Sequence, residues 1–212
     1  MGKTVLFDFD GTIADTLPCC FAAFHSTFAA FLSREYTDAQ IVSLFGPTEI
    51  ELIKKEIPAE YHEEAIEHFY RVYAEEQGRE QNPPKILQMI GAFHRAGVKL
   101  GIVTGKGRRS ADISIEHLQL KPFFSIVVTG DDVERPKPDP EGIYKAMTAL
   151  GANADQTWFV GDSDTDIQAA RAAGVTAVGV NWFSVSQKAG GLDPEPDFYF
   201  TDADEFVRIV LS

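Results

Sequence analysis

Val5-Leu6-Phe7-Asp8-Phe9-Asp10-Gly11-Thr12-Ile13-Ala14-Asp15 decides the fold. Val5, Leu6 and Phe7 form a short apolar run of the kind that makes a strand buried on both faces. Two carboxylates, Asp8 and Asp10, follow it, and Gly11-Thr12 breaks the strand. A buried parallel strand that ends in acid side chains delivers them to the crevice where open α/β sheets bind ligands. Burying carboxylates is costly unless a cation or a hydrogen-bond network compensates. The stretch therefore asks for a partner, and a hard divalent cation such as Mg²⁺ suits oxygen ligands of this type.

Beyond Leu17 the pattern is helical as far as about Gly78. Leu17, Phe21, Phe24, Phe28 and Phe31 recur at steps of three and four, one apolar stripe of a helix, which is read as packing between helices in preference to an aromatic wall beside a ligand. Thr37 is placed to cap a second helix running to Phe45, and Gly46 to end it. Pro47 suits the first position of a third helix through about Glu56, and Pro58 opens a fourth. Arg79 to Pro84 reads as a polar, proline-containing linker.

After the linker, helices and strands alternate. Strands are predicted at Val98–Val103, Ile126–Thr129, Thr157–Val160, Val175–Val180 and Phe198–Phe200, with helices between them and a last helix over Asp202–Leu211. Such alternation implies βαβ units and a parallel sheet with right-handed crossovers. The expected fold is α/β: a doubly wound, Rossmann-like core of residues 1–15 and 84–212, with an all-helical domain of residues 16–83 inserted after the first strand. The crossings near Thr16 and Arg79 to Pro84 are candidate hinges.

Strand ends in a parallel sheet share one edge, so Asp8, Asp10, Thr104, Lys137, Asp162 and Asp166 are expected to converge. The set has a chemical logic. A carboxylate can attack a phosphoryl group to form an acyl-phosphate, and a second carboxyl can protonate the leaving oxygen and later deprotonate water. A hydroxyl, backbone N–H groups, a lysine and Mg²⁺ can hold the phosphoryl oxygens. Lys106, Arg108 and Arg109 follow the second strand; Lys106 either reaches toward substrate or is an exposed cation at a helix start. Gly46-Pro47 is either a substrate-contacting loop or an ordinary turn. Lys54, Lys55 and Arg71 are read as solvated, and His25, His62, His68, His94 and His117 share no metal-ligand spacing.

On these residues the chain resembles the haloacid dehalogenase superfamily, and within it the phosphatases with a helical cap. Asp8-Phe9-Asp10-Gly11-Thr12, Val103-Thr104-Gly105, Lys137-Pro138 and Gly161-Asp162-Ser163-Asp164-Thr165-Asp166 match the four motifs in order. The resemblance implies that Asp8 is nucleophile and Mg²⁺ ligand, and that Asp10 is general acid/base with a main-chain oxygen on the metal. Thr104 and Gly105 would bind phosphate, and Lys137 would pair with phosphoryl oxygens and Asp8. Asp162 would ligate Mg²⁺, and Asp166 would support the metal's water shell or Lys137. Asp164 falls between the matching positions and is read as a cap for the following helix. Dehalogenases and phosphonoacetaldehyde hydrolases of the superfamily lack the second carboxylate, so keeping Asp10 points to phosphate esters or anhydrides. The implied activity is a phosphatase for a small phosphorylated metabolite, of the phosphoglycolate phosphatase and pyrophosphatase-like branch. A sugar phosphomutase with the same aspartyl-phosphate, and a non-catalytic phosphate-binding or regulatory module, are the alternatives.

Composition sets the remaining bounds. The 212 residues carry a formal net charge of −13, which disfavours nucleic acid and anionic membranes as partners. Cys19 and Cys20 are adjacent and poorly placed to bridge each other. Asp8 and Asp10 interrupt any signal-peptide apolar run, position 6 fails the myristoylation pattern, and no apolar stretch approaches the ~18 residues of a membrane span. The expected setting is cytoplasmic. The oligomeric state is not legible.

Overall fold

The computed structural model describes residues 2–77, 84–183 and 191–212. Six strands form one parallel sheet: β1 (Thr4–Phe7), β2 (Lys99–Val103), β3 (Ile126–Val128), β4 (Thr157–Gly161), β5 (Thr176–Val180) and β6 (Phe198–Phe200). Their order is β3-β2-β1-β4-β5-β6. The chain winds outward from β1 to β3, then returns to β1's other side and winds outward again. The switch point therefore lies between β1 and β4, where Phe7 pairs with Val160. Ligand crevices of doubly wound sheets open at such points.

The β1 side chains show why the strand is apolar throughout. Val5 and Phe7 enter one hydrophobic cluster and Leu6 enters another, as a period-two strand covered on both faces requires. The first face is covered by α5 (Pro84–Arg95) and α9 (Ala203–Leu211), through Ile90, Phe93 and Phe206. The second is covered by α7 (Glu141–Leu150) and α8 (Asp164–Ala173), through Ile143, Ile167 and Ala170. The helix α6 (Arg108–His117) follows β2.

Helices α1 (Leu17–Leu32), α2 (Asp38–Val42), α3 (Glu49–Glu56) and α4 (His62–Gln77) have a hydrophobic cluster of their own. Phe24 and Phe28 are buried in it, and the Phe24 ring lies 4.6 Å from that of Phe69. The aromatic stripe thus packs as its spacing predicts, and two of its members, Leu17 and Phe24, also line the cavity described below. Three expected starts and stops move. The helix capped by Thr37 ends at Val42 rather than Phe45. Pro47 is not the first residue of α3, because Thr48 and Glu51 form a reciprocal capping box and begin the helix at Glu49. Pro58 starts a short 3₁₀ turn, Ala59–Tyr61, ahead of α4. The expected linker Arg79 to Pro84 lies outside the described residues, except for Pro84, which opens α5.

Candidate active site

Strand register builds the site. Asp8 directly follows β1 and its amide still donates to the Val160 carbonyl, at 2.8 Å, extending the ladder by one residue. Asp162 directly follows the neighbouring β4. Their side chains therefore emerge together at the switch point. Asp166 joins them from the first turn of α8 because Ser163 is the N-cap and Asp166 is the third helical residue. Carboxylate oxygens of Asp8, Asp162 and Asp166, all buried, lie within 4.8 Å of one another.

Gly11 makes this approach possible. Its φ of +79° is in the left-handed region, and a side chain there would overlap the Asp162 carboxylate. Thr12 adds a hydroxyl that donates to Asp162 Oδ1 at 3.3 Å. Asp162 Oδ2 is buried with no hydrogen-bond partner among the described residues.

A lysine meets two of the three acids. Lys137 Nζ lies 2.8 Å from Asp8 Oδ1 and donates to Asp166 Oδ1 at 2.6 Å. Burial works against the Lys137 charge, but the Asp166 and Asp8 carboxylates outweigh it and raise its pKa. Burial pushes Asp162 up to about 8, aided by the charges of Asp166 and Asp8. Burial also pushes Asp8 up to about 6, against the opposing pull of Lys137. The site is short of positive charge, and an orphaned carboxylate oxygen faces it. An all-oxygen donor set with this deficit fits a hard divalent cation. The second oxygen of Asp166 is committed elsewhere: it accepts from the Ser163 amide at 3.0 Å and the Ser163 hydroxyl at 2.5 Å.

Asp10 sits apart from the three acids. Its carboxylate accepts from the Thr16 hydroxyl, and from Lys106 Nζ at 2.9 and 3.1 Å. The Lys106 side chain is 1% exposed, which overturns its reading as an exposed helix-start cation. Its pKa is raised: burial opposes the charge, and Asp10, Tyr73 and Glu49 outweigh burial. Glu49, the first residue of α3, lies 3.8 Å from the same ammonium. Its carboxylate accepts from the Gly107 amide at 2.8 Å and the Ser110 hydroxyl at 2.5 Å. The helical region and the sheet region are thereby joined at the first turn of α6.

A cavity of about 290 Å³ connects these groups. Asp8, Asp10, Thr104, Gly105 and Lys137 line it, so five of the residues singled out from the sequence share one space. Asp162 and Asp166 stand behind Asp8, while Ser163, Asp164 and Thr165 contribute to the wall. Gly46 and Pro47 also line it, which favours the ligand-facing reading of that turn. Asp164 is not the helix cap; that is Ser163, and Asp164 Oδ1 accepts from the Asp193 amide at 2.8 Å. Lys54, Lys55 and Arg71 are not among the lining residues, and Arg71 pairs with Glu75 at 3.0 Å. His25, His62 and His68 make hydrogen bonds within the helical region and do not enter the acid cluster. Cys19 and Cys20 are buried and not bridged to each other, in line with their reading.

Glu49 and Thr16 were not legible as site residues. Glu49 follows Thr48 in a stretch that reads as ordinary helix capping, and only the tertiary contact with α6 gives it a role. For Lys106 a signal existed in its position immediately after the Thr104-Gly105 strand end.

The fold and the site define an α/β enzyme core with a buried acid cluster at the sheet's switch point. The family profile of haloacid dehalogenase-like hydrolases matches residues 5–180. A pyrophosphatase PpaX of Anoxybacillus flavithermus is 32% identical over 210 residues, covering 98% of this chain and 96% of that protein. The crystal structure of a predicted phosphoglycolate phosphatase from Haemophilus somnus superposes with a TM-score of 0.83 at 22% identity, covering 98% of this chain and 97% of that one. CbbY from Rhodobacter sphaeroides, solved in complex with phosphate, superposes with a TM-score of 0.81 at 21% identity, covering 97% of this chain and 96% of that one. The chain belongs to the haloacid dehalogenase-like hydrolase family. Among the described residues no helix is long and apolar enough to cross a membrane.

Proposed function

We propose that the protein is a Mg²⁺-dependent phosphatase that hydrolyses a small phosphorylated metabolite through an aspartyl-phosphate on Asp8. The observation that carries this reading is the Lys137 ammonium held between Asp8, at 2.8 Å, and Asp166, at 2.6 Å, in a cluster of three buried acids that one ammonium leaves short of positive charge. A phosphoryl group entering there meets a nucleophile, a fixed cation and the Thr104-Gly105 strand end in one cavity.

In the first step an Asp8 oxygen bonds to phosphorus and the bond to the leaving oxygen breaks. Asp10 gives the leaving oxygen its proton from Oδ2, while Oδ1 keeps its Thr16 and Lys106 contacts. In the second step Asp10 takes a proton from water, the water oxygen bonds to phosphorus, and the bond to Asp8 breaks. Lys137 balances charge on the phosphoryl oxygens, and Thr104 and Gly105 position them. The carboxylates of Asp8 and Asp162, with the main-chain oxygen of Asp10, would hold Mg²⁺, which when bound supplies the positive charge that the cluster lacks. Asp166, with both oxygens engaged, acts by positioning Lys137. Residues 16–83 serve as a cap domain whose closure excludes bulk water. The buried, reduced thiols suit a reducing compartment, and a cytoplasmic setting goes with the proposal.

The relatives' names place pyrophosphate and phosphoglycolate first on the list to be tried. The test is phosphate release from a panel of these two, hexose phosphates, nucleotides and para-nitrophenyl phosphate, with Mg²⁺ and with chelator. Release that requires the metal is expected; folded protein that releases phosphate from none of them contradicts the proposal.

A further inference from the structure

Resting on the phosphatase reading, we infer that the leaving group of the substrate is uncharged, so that the enzyme takes monophosphates of small neutral alcohols in preference to pyrophosphate or phosphorylated carboxylic acids. The inference comes from the part of the cavity lining that the helical region contributes. Leu17 and Phe24 of α1, Phe45 and Pro47 of the turn, and Leu52 of α3 make it an apolar wall. Its charged member is Glu49, an acid.

Both ammonium groups among the described lining residues are already shared. Lys137 faces Asp8 and Asp166 at the end where the phosphoryl group reacts. Lys106 donates to both oxygens of Asp10 and stands 3.8 Å from Glu49, so one ammonium serves two carboxylates. The other cations near α6 are engaged away from the cavity: Arg108 with Asp132 and Arg109 with Glu67. A second anionic group on the substrate would leave water for an apolar wall, meet the Glu49 carboxylate, and reach Lys106 only by displacing Asp10. Desolvating an unpaired charge beside a like charge is costly, and that cost is the discrimination. A hydroxyl or alkyl group meets no such penalty, and a hydroxyl can donate to Glu49.

Pyrophosphate and phosphoglycolate both carry a second anionic group, so this inference runs against the substrates in the relatives' names. The matched pair that tests it is glycerol 3-phosphate and 3-phosphoglycerate, which differ by an alcohol against a carboxylate. In the presence of Mg²⁺, kcat/KM for glycerol 3-phosphate should exceed that for 3-phosphoglycerate by about tenfold or more. Phosphoglycolate and pyrophosphate should fall on the low side with it. Pro47→Arg places a cation on the exposed rim of the wall and should raise the ratio of 3-phosphoglycerate to glycerol 3-phosphate by about fivefold. Equal or better turnover of 3-phosphoglycerate, phosphoglycolate or pyrophosphate by the unsubstituted enzyme overturns this inference and leaves the phosphatase reading standing. Phosphate release from none of the compounds, para-nitrophenyl phosphate included, removes both.

Discussion

Lys106 gives its ammonium to both oxygens of Asp10, at 2.9 and 3.1 Å, across 96 residues of sequence. The lysine is enclosed, with the Tyr73 ring 4.9 Å from its Nζ and Glu49 on its other side. Two carboxylates and one ammonium form the polar seam between the helical region and the sheet region.

Lys106→Met keeps most of the side-chain volume and removes the charge. Asp10 and Glu49 are then left facing each other. Breaking a buried pair on one side costs roughly 3–5 kcal/mol, and the 19% exposure of the Asp10 side chain puts this case at the lower end. Urea unfolding should show a loss of about 3 kcal/mol, partly recovered in Lys106→Met/Glu49→Gln. A loss no larger in the single variant than in the double would contradict the arrangement.

Asp166 does two things that separate variants can resolve. One oxygen holds Lys137 and the other closes the capping box of α8. Ser163→Ala removes the cap hydroxyl alone and should cost about 1 kcal/mol of stability while leaving turnover close to that of the unsubstituted enzyme. Asp166→Asn keeps the shape and removes the charge opposite Lys137; kcat should fall by about a hundredfold. Comparable turnover losses in the two variants would show that the helix start, and not the Lys137 contact, is what matters.

The acid cluster also predicts how stability responds to pH and metal. Without metal, Asp162 is pushed up to about 8 and Asp8 up to about 6, each from an ordinary value of 3.8. A carboxyl whose pKa is higher folded than unfolded binds more protons in the folded state, so stability falls as pH rises between the two values. The window is therefore about pH 4 to 8. A bound cation favours the ionised acids and works in the opposite sense, by roughly 2.7 kcal/mol at a hundredfold excess over its Kd. Thermal melts in chelator should decline from pH 5 to pH 8, and Mg²⁺ should raise Tm more at pH 8 than at pH 5. Asp162→Asn should flatten the chelator profile and weaken the Mg²⁺ response. A decline of equal slope in Asp162→Asn would show that other groups set the pH dependence.

Much of this was legible in the sequence, for identifiable reasons. Apolar runs such as Val5-Leu6-Phe7 are long enough to mark strands, and a parallel sheet brings their ends together, so the convergence of Asp8, Thr104 and Lys137 followed from topology. The aromatic spacing from Leu17 to Phe31 marked packing because a helical period fixes a face. Helix starts were less legible where two capping residues compete: Thr48 displaced Pro47, and Ser163 displaced Asp164. Glu49 and Thr16 were hidden because their roles exist only across the interface between two regions. Lys106 was ambiguous for the same reason, since burial of a lysine depends on acids that fold against it from elsewhere. The segment from Trp182 to Pro196 read only as a surface loop. Residues 184–190 lie outside the described residues, but Trp182 ties its beginning to the site by donating its indole N–H to the Thr12 carbonyl at 2.8 Å.

Asp8→Asn is the most direct test of the central claim. The substitution is close to isosteric, leaves the buried position filled, and removes the nucleophilic oxygen. Phosphate release from para-nitrophenyl phosphate with Mg²⁺ would be measured for the variant and the unsubstituted enzyme, with circular dichroism and thermal melts to establish that both are folded. The account predicts a folded variant with no turnover above the uncatalysed rate. A folded Asp8→Asn protein that still releases phosphate at a comparable rate would contradict it.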